Sequence, residues 1–355
     1  MTRGRLLLVG VSLLLVGVAF TTTEQGAELL HDLPSAERFY TRFVPPEPPD
    51  VDDQISAEEI ASLEVLADLD GRLVWSSNRG GNHDLYLADL STGSVRRITD
   101  HPHVDYFSRF SPDGTLISFL RSRRPWVSFR EEDQWDLFVM NADGTNVRPI
   151  VEQAYHPTWT PDGSGLVFLR GNTIRQVDVE TGRDRLIQDG SVAPLDGRIG
   201  DPEMSPDGRL TVTVRRRVQR VGVLDAARET YDFISDPRAC HITWMPGEDR
   251  VLWVSGEGEG GTRIMHGRPG TVGGEVLIDL PGELSHEYFP RVTNDGTWLV
   301  WGATAEGHEH DRADYEIFVW QIGSPWESAL RVTHSGGNDQ WPDLFIDAVP
   351  DGRSQ

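Results

Sequence analysis

The chain of 355 residues is long enough for one large β domain or two ordinary ones, and 38% hydrophobic with 9% aromatic residues argues against global disorder. A formal charge of −23 repels duplexes and anionic bilayers, which makes nucleic acid and lipid headgroups poor partners. All 33 basic residues are Arg and Cys240 is the only cysteine, so an internal disulfide and a thiolate metal cluster are excluded.

Arg3 and Arg5 precede an apolar run at 6–20, LLLVGVSLLLVGVAF. This run is short for a membrane span and has the length of a signal-peptide core, so residues 1–20 are expected to be a signal peptide or an N-terminal membrane anchor. The protein is then periplasmic or secreted, or held at the membrane by residues 6–20. Residues 21–70 read as a linker. In it, PPEPPD (45–50) is extended and SAEEIASLEVLAD (56–68) predicts a short helix capped by Ser56.

Residues 71–346 carry a repeat, and 347–355 form a tail. RLVWSS, DLYLADL and VRRIT, within 72–99, read as three strands without a preceding one. Then come FSRFSPDGTLISFL (107–120), HPTWTPDGSGLVFL (156–169), DPEMSPDGRLTVTV (201–214), HITWMPGEDRVLWV (241–254) and FPRVTNDGTWLVWG (289–302). Each reads as strand, tight turn, strand, and a further strand pair follows, as in WDLFVMNADGTNVRPI (135–150). A four-stranded unit at a period of about 40–52 residues cannot bury both its faces alone, and radial stacking into a propeller solves that problem. WPDLF (341–345) supplies the strand missing at the start, so the two ends together complete a sixth blade. The predicted fold is an all-β, six-bladed β-propeller with four antiparallel strands, a to d, per blade.

SNRGGNHDLYLADLSTGSVRRIT (77–99), the repeated SPDG turn and HPTWTPDG together resemble the TolB-type propeller repeat, over about residues 70–346. The resemblance implies an exported, non-catalytic binding or scaffold module in the cell envelope, with a protein or peptide partner at the mouth of the central channel.

Polarity sets the register of strand a. Phe110, Trp159, Met204, Trp244, Val292 and Leu344 share one position, are all apolar, and are expected between blades. The residues one step earlier then face the channel: Arg109, Thr158, Glu203, Thr243, Arg291 and Asp343. A slip by one residue would bury charges in the blade core. Of these, Arg109, Glu203, Arg291 and Asp343 are candidate ligand-binding residues. Phe107, His156, Asp201, His241, Phe289 and Trp341 form a second inward layer nearer the mouth, where Phe107, Phe289 and Trp341 are candidate contacts for a ligand.

Neutral imidazoles and a carboxylate are good ligands for a divalent transition metal, so His156, Asp201 and His241 are the candidate metal site. A hydrogen-bonded polar channel without metal explains the same three residues. Two long loops on the mouth side, 122–134 (SRRPWVSFREEDQ) and 303–313 (ATAEGHEHDRA, with His308, Glu309, His310 and Asp311), are expected to shape a binding surface. The propeller is also similar to oligogalacturonate lyase. That likeness implies an alternative, a metal-assisted lyase or hydrolase acting on polysaccharide, with Arg109 or Arg291 on a uronic-acid carboxylate. No G-x-S-x-G elbow, H-E-x-x-H, P-loop or dinucleotide fingerprint occurs.

Overall fold

Ser56 accepts a hydrogen bond from the Glu59 amide while the Glu59 carboxylate accepts from the Ser56 amide, and this reciprocal cap starts helix α1 (Ala57–Val65). The computed structural model describes residues 55–225, 228–258, 261–305, 307 and 310–347; the apolar run at 6–20 and the segment 45–50 lie outside these described residues. No helix among the described residues is long and apolar enough to cross a membrane.

Three strands follow α1: β1 (Gly71–Ser77), β2 (Asp84–Asp89) and β3 (Ser94–Arg97). Blade 1 is β4 (Asp105–Phe110), β5 (Leu116–Ser122), β6 (Trp135–Asn141) and β7 (Arg148–Val151). Blade 2 is β8 (Tyr155–Trp159), β9 (Gly165–Arg170), β10 (Thr173–Asp178) and β11 (Asp184–Asp189). Blade 3 is β12 (Arg198–Met204), β13 (Leu210–Arg215), β14 (Gln219–Asp225) and β15 (Thr230–Phe233). Blade 4 is β16 (Ala239–Trp244), β17 (Val251–Ser255), β18 (Arg263–Gly267) and β19 (Glu275–Ile278). Blade 5 is β20 (His286–Val292), β21 (Trp298–Thr304), β22 (Glu316–Gln321) and β23 (Leu330–Arg331).

Blade 6 is made by the last strand, β24 (Asp339–Ile346), pairing antiparallel with β1 ahead of β2 and β3. The innermost strands β4, β8, β12, β16, β20 and β24 neighbour one another in a closed ring. Closure leaves no unpaired blade flank.

The a–b turns explain why Asp-Gly recurs. In blade 1, Asp113 Oδ1 accepts from Ser111 Oγ at 2.6 Å and from the Thr115 amide at 3.1 Å. Gly114 then takes φ +69, and a Cβ there would lie 2.4 Å from the Phe345 ring. Asp162, Asp207 and Asp295 each accept from the hydroxyl two residues earlier in the same way.

The second strands supply the blade core. Phe119, Phe168, Trp253, Trp301 and Trp75 hold equivalent positions in five blades, each at most 2% exposed. Blade 3 has Val212 there, opposite Gly222. Tyr231 fills the gap, since a Cβ on Gly222 would meet its ring at 2.6 Å, and its hydroxyl donates to the Val212 carbonyl at 2.9 Å.

One feature of the inner strands departs from simple alternation. Each carries a one-residue β-bulge, for example Tyr106 opposite Leu120 but Arg109 opposite Ser118. The same break falls between Tyr155 and Thr158, Gly200 and Glu203, Cys240 and Thr243, and Tyr288 and Arg291, and between Gln340 and Asp343 on β24. The bulged residues are Phe107, His156, Asp201, His241, Phe289 and Trp341, and all have positive φ, between 42 and 58. The second inward layer is therefore a ring of left-handed, non-glycine residues.

Candidate functional site

The bulges turn all six of these side chains toward the axis. Phe107 and Phe289 lie on Trp341 with ring centroids at 3.8 and 4.0 Å. His156 packs edge-on to Phe107 at 4.9 Å, and His241 to Phe289 at 5.1 Å. The aromatic half of this layer is a septum: Phe107, Phe289 and Trp341 are only 3%, 2% and 4% exposed.

The two long loops pack against this layer at Phe289. Asp311, from the blade 5 loop, accepts from Ser128 Oγ at 2.6 Å, the Phe129 amide at 3.0 Å and Arg130 Nη1 at 3.2 Å, all from the blade 1 loop. Phe129 then packs edge-on against His310 at 4.7 Å, and His310 lies 5.2 Å from Phe289. The joined loops roof the aromatic side and leave the mouth open over blades 2 to 4. The length of both loops is visible in the sequence, but the pairing through Asp311 has no local signal. His308 and Glu309 of the His-Glu-His-Asp run lie outside the described residues.

The open half is a cleft of about 420 Å³. His156, Asp201, Cys240 and His241 form its base, Tyr155, Phe129 and His310 one wall, and Arg198, Arg215 and Gln219 its rim. Cys240 is half-buried here and packs against the core, and burial with the nearby Asp201 charge raises its thiol well above the usual range.

His156 Nδ1 lies 3.0 Å from Asp201 Oδ1. Burial, then the Arg109 charge, lowers His156 to about 3, so the imidazole is neutral and this contact assigns its proton to Nδ1. Burial raises Asp201, against the pull of His241. The His156 and His241 ring centroids are 6.5 Å apart. Among the described residues no group of three or more His, Cys, Asp or Glu side chains is arranged to hold a metal ion. The expected metal trio is thus a His–Asp pair with a second imidazole beside it, and it does not fit a three-ligand site.

The other inward ring ends up on the far side of the septum. Arg109, Thr158, Glu203, Thr243, Arg291 and Asp343 line a separate chamber of about 270 Å³, opening among the a–b turns. Arg109 Nη1 is 2.7 Å from Glu203 Oε2, and Arg291 Nη1 is 3.6 Å from the same oxygen. The predicted polar ring and the predicted mouth residues therefore line two separate pockets.

No family model matches the chain. The Tol-Pal system protein TolB of Francisella tularensis subsp. mediasiatica (strain FSC147) is 26% identical over 207 residues, which covers 44% of this chain and 46% of that protein. The uncharacterized protein Atu1656 of Agrobacterium fabrum is 27% identical over 108 residues, 28% of this chain and 37% of the relative. The chain thus aligns with less than half the length of these curated relatives. Among solved structures, hydrazine synthase of Kuenenia stuttgartiensis has TM-score 0.54 at 11% identity, over 84% of this chain and 50% of that one. The tricorn protease has TM-score 0.51 at 14% identity, over 75% of this chain and 26% of that one. TolB from Acinetobacter baumannii has TM-score 0.49 at 12% identity, over 81% and 84% of the two chains. Repeat, closure and kinship agree: the chain is a six-bladed β-propeller similar to TolB.

Proposed function

We propose that this protein is an exported, non-catalytic binding module of the cell envelope that takes a protein or peptide segment in the mouth cleft over blades 2 to 4. The observation that carries this reading is the half-open mouth. A rigid ring holds the base, two loops locked by Asp311 wall one side, and Arg198, Arg215 and Gln219 edge the other. Pre-organised polar groups beside aromatic walls suit an extended segment, because little must be ordered on binding. The likeness to a protein of the Tol-Pal system supports a partner in the envelope. The apolar run at 6–20 is the segment that would direct export or anchor the chain there.

A metal-assisted reaction on polysaccharide is the weaker reading, because His156 is committed to Asp201 and no third ligand joins them among the described residues.

Photo-crosslinking tests the site. A benzophenone at Gln219, in the cleft, is expected to capture one envelope protein, and capture should disappear in an Arg215→Glu variant that folds normally. Equal capture from Val147, on the exposed outer edge, would show that the mouth is not the binding site.

A further inference from the structure

The chamber at the turn end has its own chemistry. It shares no lining residue with the mouth cleft. Arg109 from blade 1 and Arg291 from blade 5 both reach across to Glu203 on blade 3. Thr158 donates to the same carboxylate, and Arg291 Nη1 also donates to the Ile242 carbonyl at 2.9 Å. One acid therefore fixes two guanidiniums, and Asp343 brings the chamber's lining to two positive and two negative groups.

A guanidinium carries five N–H donors. The hydrogen bonds above use Nη1 of each arginine, and both arginines line the chamber. The walls are apolar: Phe110, Trp159, Trp244 and Phe345, within a rim of Pro112, Pro161, Pro206 and Pro246. Asp343, on blade 6, is turned to the backbone amide of Phe110 at 2.8 Å instead of to either arginine, and its charge opposes a dianion.

We infer that this chamber is a second binding site, for a monoanionic carboxylate carried on an apolar body and held by Arg109 and Arg291. The apolar part lies against Trp159 and Trp244, and Glu203 acts only by positioning the guanidiniums. Two sources present this chemistry, a small free acid and the C-terminus of a polypeptide entering end-on.

Calorimetric titration of the full chain with 3-phenylpropionate and with its neutral amide tests the inference. The acid is expected to bind at least about tenfold more tightly than the amide, the fold-change that corresponds to losing one charge-assisted pair. Arg291→Gln should weaken the acid about tenfold and leave the amide unchanged, while Arg198→Glu, at the mouth, should change neither. A peptide Gly-Gly-Phe with free or amidated C-terminus distinguishes the sources. Tighter binding of the free peptide than of phenylpropionate assigns the site to a chain terminus, and the reverse assigns it to a free acid. Equal binding of acid and amide to the unaltered protein, or no binding of the acid in the millimolar range, overturns the inference without touching the proposal for the mouth.

Discussion

A carboxylate that loses its water must find donors or take up a proton, and Glu287 does the second. It is fully buried on β20; Oε1 accepts from the Leu280 amide at 2.8 Å, and Oε2 has no partner among the described residues. Burial raises it to about 8. The unfolded value is about 4.3, so the folded state binds the extra proton between these limits. The stabilisation is complete below about pH 4 and drains away as pH rises through the folded value. Glu287→Gln cannot ionise and keeps the acceptor for Leu280. We expect it to exceed the parent protein in stability by on the order of a few kcal/mol at about pH 8.5 and to lose the parent's decline between about pH 5 and that value. Urea midpoints at the two pH values check this, and parallel pH dependence of the two proteins would contradict it.

At the scale of elements, the inner strands and the loops above them divide what was legible from what was not. Polarity puts Arg109, Glu203, Arg291 and Asp343 on the channel side, since burying them between blades is too costly, and the four line one chamber. The bulges were legible too, though simple alternation passed over them. His156, Asp201, Phe289 and Trp341 each precede a proline, and a proline inside a central strand belongs at a bulge. The roof over the aromatics was not legible, because Asp311 and Ser128 are 183 residues apart and meet only once the ring is closed. Asp311→Asn removes the charge from this clamp, at a local cost of about 3 kcal/mol. We expect the blade 1 loop to open independently of the ring: exchange of the Phe129 amide should speed up while that of the strand β5 amides stays unchanged. Unchanged exchange at Phe129 would mean that packing of Phe129 on His310 alone holds the roof.

At the scale of the whole molecule, stability rests on one joint, because a ring of blades has a single seam. The seam is β24 on β1, and two ion pairs of different character cross it. The Arg79 guanidinium is wholly buried, with Nη2 2.8 Å from Glu59 Oε1 on α1 and 2.8 Å from Asp339 Oδ2 at the start of β24. One side chain from the loop after β1 thus ties the helix to the last strand. Arg72 with Asp347, at the other end of the seam, is partly exposed. Breaking a buried pair strands a charge in a medium that cannot solvate it, whereas an exposed charge returns to water. Glu59→Gln is therefore expected to lower the unfolding free energy by about 3 kcal/mol, and Arg72→Ala by no more than about 1 kcal/mol. Both losses should appear in the single transition of the whole propeller, since every blade buries its flank on the next and an open seam exposes two of them. Urea unfolding followed by tryptophan fluorescence and by far-UV circular dichroism decides the matter. Coincident curves shifted in Glu59→Gln place the joint in the cooperative unit, and a separate early transition in that variant would show instead that α1 and β24 detach while five blades remain folded.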